Sequence, residues 1–289
     1  MTRYIDLHTH SLASDGSDSP EQLAGKAAAA GLAAFALTDH DTVAGLAKAQ
    51  KAAAELGIEF VPGVEIAVRY DFDELHLVAL WVNAASCALT AHLGALRAGR
   101  DERNSVILNK LSELGLPLQM EEVRALAGGE AVGRPHIALA MKRKGYVYSR
   151  QDAFERYLGW GAKAYVPRAL PTPEQGIRLL AESGATVVLA HPCLVPGMNR
   201  QRLNVLLGDL KDMGLSAVEV WHSSHDPNQT RLCRELAKRH NLLPSGGSDY
   251  HGVNKQSISI GAGQGNLRIP YSVLDDLRAY RSALGLACA

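Results

Sequence analysis

Short apolar runs alternate along the chain with longer stretches whose apolar residues recur every three or four positions, the periods of strand and helix. Residues 4–7 read as a strand, 20–30 as a helix with Ser19 at its N-cap, 33–37 as a strand, and 42–56 as an Ala-rich helix closed by Gly57. Two more strand candidates lie at 60–68 and 75–82. Three others follow later: TVVLA at 186–190, AVEVW at 217–221 and LLPSGGS at 242–248. Strands separated by helical patterns predict an α/β fold with a largely parallel sheet or barrel.

From about residue 86 to 160 the rhythm changes to helical patterns with no convincing strand. This predicts a small helical domain, residues 86–167, inserted into a barrel made by 1–85 and 168–289. Charge separates the two parts: residues 97–168 hold 13 Lys/Arg against 8 Asp/Glu, the remainder 17 against 22, in a 289-residue chain of net charge zero. A basic insert facing an acidic barrel would attract an anionic substrate. A few solvated surface arginines would give the same excess. With 47% hydrophobic and 21% charged residues the chain can bury a substantial core. It shows no signal-peptide pattern and no run of about 20 apolar residues, so a cytoplasmic location is expected, with no membrane, duplex DNA or obligate protein partner. Cys87, Cys193, Cys233 and Cys288 lack C-x-x-C spacing, which indicates neither a disulfide framework nor a cysteine zinc site. Packing is their expected role.

The ligand-type residues follow the strands. His8 and His10 stand in "DLHTH" with Asp15 in the turn behind them, His40 in "LTDHD", Glu65 in "PGVEI", His76 in "ELHLVAL", His191 in "VLAHP", and Asp249 with His251 in "GGSDYHG". Most lie at or near the C-terminal end of a predicted strand, where the loops of a βα barrel converge. In extended chain, residues i and i+2 point to one side, so His8 and His10 can grip one ion together, as can Asp249 and His251. Nine such groups exceed the four ligands of zinc and the five or six of manganese or iron. Two to three divalent ions are expected, manganese foremost, with zinc or iron as alternatives.

These motifs, all nine positions in order, resemble those of the PHP family, the polymerase and histidinol phosphatase family of trinuclear metal phosphoesterases. The resemblance implies a distorted (β/α)7 barrel with metals at its mouth. It also implies one site of His8, His10, Glu65 and Asp249, a second of His76 and His191 with Glu65 bridging, and a third of Asp15, His40 and His251. "VGRPHIA" at 132–138 and "EVWHSSH" at 219–225 are similar to the TrpH-like branch, whose members resemble nucleoside 3′,5′-bisphosphate phosphatases and 5′-to-3′ exoribonucleases acting on short RNA.

Gly133, Arg134 and Pro135 stand where a helix should begin, so backbone N–H groups, the Arg134 guanidinium and His136 can together hold a phosphate. The bland alternative is a surface ion pair and a packing histidine. His222 and His225 are candidates to bind the transferring phosphoryl group, with His222 the candidate proton donor; Lys163, Tyr165 and Arg168 are weaker anion contacts. His92 and His240 read as structural. The expected chemistry is in-line attack on phosphorus by a hydroxide that the metals acidify from water, with Arg134 neutralising charge in the transition state. No G-x-S-x-G or P-loop pattern supports an acyl-enzyme or an NTPase. Competing readings are a histidinol-phosphate phosphatase, metal-assisted deamination or amide hydrolysis, and a non-catalytic metal-stabilised module.

Overall fold

The computed structural model describes residues 3–71, 73–127 and 131–288. Eight strands form one sheet in the order β7-β6-β5-β4-β3-β2-β1-β8. They are β1 (Tyr4–Asp6), β2 (Ala34–Leu37), β3 (Glu59–Tyr70), β4 (Asp73–Leu80), β5 (Thr186–Leu189), β6 (Ala217–His222), β7 (Leu243–Gly247) and β8 (Ile269–Pro270). The sheet curls until its ends meet: Leu7 N–H donates to the Gly246 carbonyl, Asp249 N–H to His8 and His10 N–H to Tyr250, each within 3.1 Å. A Cβ built on Gly247 would stand 2.2 Å from His8 Cβ, so this seam needs glycine. Seven strands thus make the wall, and β8 lies antiparallel on the outer end of β1.

Most neighbours are parallel, as the strand–helix alternation predicts, but β4 runs antiparallel to both β3 and β5. The reason is local: the turn between β3 and β4 is too short for the crossover that parallel neighbours require. Asp71 takes positive φ (+47°) in that turn. The reversal brings the N-terminal half of β4 to the same rim as the C-terminal half of β3.

Alternation along β3 and β4 then fixes what faces inward. Val61 and, from β4, Leu80 and Val78 belong to an apolar plug with Ile5, Leu7, Ala36 and Val188, closed below by Val273, Leu274 and Leu277 of α10 (Ser272–Ala283). Glu65 and His76 continue the same inner face directly above the plug. The opposite face, including Ile66, Val68, Leu75 and Leu77, packs against α1 (Pro20–Ala29), α2 (Leu46–Leu56), α7 (Pro173–Glu182), α8 (Arg200–Asp212) and α9 (Pro227–Arg239). Ser19, Thr172 and Asp226 cap α1, α7 and α9 with reciprocal side-chain boxes.

Between β4 and β5 lie the 27-residue α3 (Cys87–Glu113), α4 (Met120–Arg124), α5 (Arg134–Arg143) and α6 (Arg150–Ala153), the last continuing into a π-turn. Leu89, Leu93 and Leu96 of α3 join the barrel core. Ile107, Leu108 and Leu111 belong instead to a separate core with Ile137, Met141 and Leu158. No helix among the described residues is long and apolar enough to cross a membrane.

Candidate metal centre

All nine predicted ligand residues meet at the rim above the plug. His8 Nε2 lies 3.0 Å from His10 Nε2 and 3.3 Å from Glu65 Oε2; His10 Nε2 lies 3.2 Å from Glu65 Oε2 and 3.4 Å from Asp249 Oδ1. Glu65 divides its carboxylate. Oε2 faces His8, His10 and His40 Nδ1 (3.2 Å), while Oε1 faces His76 Nδ1 (2.9 Å) and His191 Nε2 (3.1 Å). A third group gathers His10, Asp15, His40 and His251, with His251 Nε2 3.2 Å from Asp15.

These separations fit a cation. Two ligand atoms about 2.1 Å from one ion stand about 3.0–3.5 Å apart, for octahedral and tetrahedral angles. The two facing Nε2 atoms of His8 and His10, both against carboxylate oxygens, have that spacing. The electrostatics agree. Burial alone would lower the His8 pKa, yet Glu219 and Glu65 hold it well above its ordinary value. Burial likewise works against His76, but Glu65 and Glu74 lift it to about 10. Burial takes His10 and His40 down to about 4, the state in which an imidazole offers a lone pair. Glu65 is fully buried and still held well below the usual carboxylate range by His40, His8 and His76. A buried, ionised carboxylate among imidazoles that keep a free lone pair is a donor set that suits divalent cations.

Backbone strain collects here too. His191 (φ +30°), Asp249 (φ +54°) and Asp41 (φ +54°) adopt left-handed conformations, each costing roughly 1–3 kcal/mol. All three side chains belong to the rim.

Several groups that hold the site were not singled out from sequence. Glu219 points inward from β6, on the same face as Ala217; its Oε1 is 2.8 Å from His8 Nδ1 and its Oε2 accepts the His191 N–H at 2.7 Å. Glu74 accepts from Arg134 Nη2 at 2.9 Å and lies 3.6 Å from His76. Asp41 accepts from Arg100 (2.7 Å) and Arg168 (2.8 Å), and its carbonyl accepts from Arg97, tying α3 onto the rim. Lys255 is paired with Asp249.

The predicted substrate contacts divide. Arg134 sits at the start of α5, on Glu74. His136 is buried, but its Nδ1 accepts the Gly133 N–H at 3.0 Å, so that backbone donor is engaged and the ring proton sits on Nε2. His222 Nδ1 accepts the Ser224 N–H at 3.1 Å, which places its proton on Nε2, 3.4 Å from Asp249 Oδ2. Arg168 reaches Asp41 and the Leu96 carbonyl, with Nε and Nη1 buried and without partners among the described residues. His225 lies behind His222, its ring centroid 5.3 Å away, and outside the cavity. Lys163 is exposed, 6.0 Å above the Tyr157 ring, and does not line the cavity; the Tyr165 carbonyl accepts from Lys110. The cavity itself, ≈ 240 Å³, is bounded by Glu65, Glu74, His76, His191, Asp249 and Lys255, and Arg134, His136, Arg168 and His222 are likewise not among its lining residues.

The model of the PHP domain matches residues 6–158 of the chain. The chain belongs to the PHP family. Among its PHP relatives, a 5′-3′ exoribonuclease of Haemophilus influenzae is 36% identical over 87% of this chain and 91% of its own length. A 3′,5′-nucleoside bisphosphate phosphatase of Chromobacterium violaceum is 34% identical over 89% of this chain and 90% of its own. A solved structure from Bifidobacterium adolescentis, assigned as a metal-dependent phosphoesterase, superposes with a TM-score of 0.83 at 30% identity, covering 96% of each chain.

Proposed function

We propose that this PHP protein, a metal-dependent phosphoesterase, removes the 3′-phosphate of nucleoside 3′,5′-bisphosphates and takes short 5′-phosphorylated RNA into the same cleft. The observation that carries this reading is a buried guanidinium cluster beside the ligand group. Arg100, Arg103, Arg134 and Arg168 crowd around the carboxylates of Asp41 and Glu74, with Asp15 also acting on Arg100. Burial and the neighbouring Arg134 and Arg100 lower Arg103 to about 9, and Nε of both Arg103 and Arg168 finds no partner among the described residues. Such excess charge calls for an anion. A bisphosphate supplies two: one phosphate at the ligand group, the other under the arginines. The names of the Haemophilus and Chromobacterium relatives support this substrate class.

The nine residues His8, His10, Asp15, His40, Glu65, His76, His191, Asp249 and His251 would hold two to three ions, manganese foremost, with zinc or iron as substitutes. When bound, such ions supply acidified water and a positive field for the phosphoryl oxygens. The remaining work falls to the protein. His222, neutral with its proton fixed on Nε2 by the Ser224 contact, donates a hydrogen bond to the phosphoryl group and does not give up that proton, since its loss would leave an imidazolate. His136 Nε2–H and Arg134 orient the anion from the start of α5. Glu74 accepts a hydrogen bond from Arg134 and stands 3.6 Å from His76, so its charge links the anion's orientation to the ligand group.

Phosphate release from adenosine 3′,5′-bisphosphate, short 5′-phosphorylated RNA and histidinol phosphate tests the proposal. Adenosine 5′-phosphate as the product of the first is expected. Turnover of histidinol phosphate alone would overturn it.

A further inference from the structure

Three side chains outside the rim converge where sequence spacing gave only packing. Cys193 lies two residues beyond His191 in the turn after β5, Cys233 on α9, and His225 in the loop after β6. The sulfurs are 3.5 Å apart, and they and a ring nitrogen of His225 all lie within 4.8 Å of one another. The two cysteines are 40 residues apart, so the fold assembles what no C-x-x-C motif announces.

His225 shows what the group is suited to. It is 3% exposed, and its Nδ1 stands 3.2 Å from the Val220 carbonyl. A carbonyl only accepts, so Nδ1 carries the proton and Nε2 the lone pair. Nε2 is buried with no hydrogen-bond partner among the described residues. A histidine that donates one ring N–H to a backbone carbonyl and leaves the other nitrogen free in a buried site has the arrangement of a metal ligand.

We propose that Cys193, Cys233 and His225 form a second metal site, separate from the phosphoesterase centre, that takes one zinc-class ion. Two sulfurs at about 2.3 Å from a tetrahedral ion stand about 3.8 Å apart, a small adjustment from the observed spacing, whereas a disulfide needs an approach to about 2.05 Å. Two thiolates and an imidazole select zinc over manganese or magnesium. On binding, both thiols lose their protons to solvent as the two sulfur–metal bonds form. Cys193 is only partly buried, which gives the ion a way in and leaves the fourth position to water. The ion ties the loop bearing His191, the loop bearing His225 and α9 into one unit. Its effect on the reaction is positional.

Cobalt reports the site without interference, because a sulfur-to-cobalt charge-transfer band in the near ultraviolet requires thiolate ligation and the nine rim residues contain no sulfur. The full-length protein, reduced and stripped with chelator, is titrated with Co²⁺. The expected result is a band that grows to one thiolate-bound cobalt per chain and is bleached by Zn²⁺. It should vanish in Cys193→Ser, fall at least several-fold in His225→Ala, and persist in His76→Asn. Cys233→Ser, at a buried position, is read only where circular dichroism shows a folded chain; Cys193→Ser, at the half-buried position, carries the decision. Absence of the band in the reduced wild type overturns the proposal. So does its survival in Cys193→Ser, or a Cys193–Cys233 disulfide that yields no cobalt site after reduction.

Discussion

Glu219 Oε1 stands 2.8 Å from His8 Nδ1, and this contact turns the other nitrogen of His8 toward His10 and Glu65. The same carboxylate anchors the His191 backbone, so one residue of β6 orients two ligands from two other strands. Glu219→Gln keeps the volume and removes the charge. Metal affinity should fall about 10- to 100-fold, with activity recovering at raised metal concentration. Equal metal titration curves for variant and wild type would show that Glu219 does not orient the ligands.

His40→Asn and Asp249→Asn should each lower turnover by about 100-fold or more while leaving the circular dichroism spectrum unchanged. Both substitutions take a donor from the rim, where His40 faces Glu65 and Asp249 faces His10, without emptying the apolar plug beneath. Full activity in either variant would remove that residue from the centre. Chelation should abolish turnover in the wild type, and restoration with Mn²⁺, Zn²⁺ and Fe²⁺ in turn ranks the ions.

Arg134→Ala should reduce kcat/KM about tenfold or more, mostly through KM, since a charge-assisted bond is worth about 1.5–3 kcal/mol. It also deprives Glu74 of its partner next to His76. Arg134→Lys keeps the charge and loses the planar fork, so intermediate kinetics are expected. An unchanged kcat/KM for the alanine variant would return Arg134 to a structural role.

Beneath the barrel, Tyr271 donates to Glu59 at 2.6 Å and accepts from Arg278 at 2.9 Å. Burial and then the Glu59 carboxylate raise its pKa above the ordinary value of 10.0, outweighing Arg278. A raised folded-state pKa gives stability that is full below pH 10 and lost as pH climbs through the folded value. Denaturation midpoints of the wild type should therefore fall above pH 10, and Tyr271→Phe should flatten that alkaline limb. Parallel curves would exclude Tyr271 as the titrating group.

Gly247→Ala forces a methyl group against His8 at the barrel seam. Loss of at least about 1–3 kcal/mol of stability is expected, read as a lower unfolding midpoint, together with weakened metal binding because His8 must move.

The nine rim residues were legible because most stand in a short motif at or near the mouth end of a strand, and a barrel brings such ends together. Glu219 was readable in principle: two residues on from the inward Ala217, it shares that face of β6. The antiparallel β4 also left a trace, since too few residues separate the runs at 60–68 and 75–82 for a crossover helix. What sequence could not give is long-range pairing. Asp41 with Arg100 and Arg168, and Cys193 with Cys233, are joined only by how the strands and helices stack. Helix α2 starts at Leu46 rather than 42, after a local turn in which Thr42 Oγ1 accepts the Ala44 N–H.

The long helix α3 is rooted in the barrel at Leu89, Leu93 and Leu96 and ends in the second core at Ile107 and Leu111, without a break between. It acts as a cantilever. The beam is unbroken and is bolted to the rim at Asp41 by Arg97 and Arg100. Any shift of the second core against the barrel must therefore bend this beam or break the Asp41 contacts.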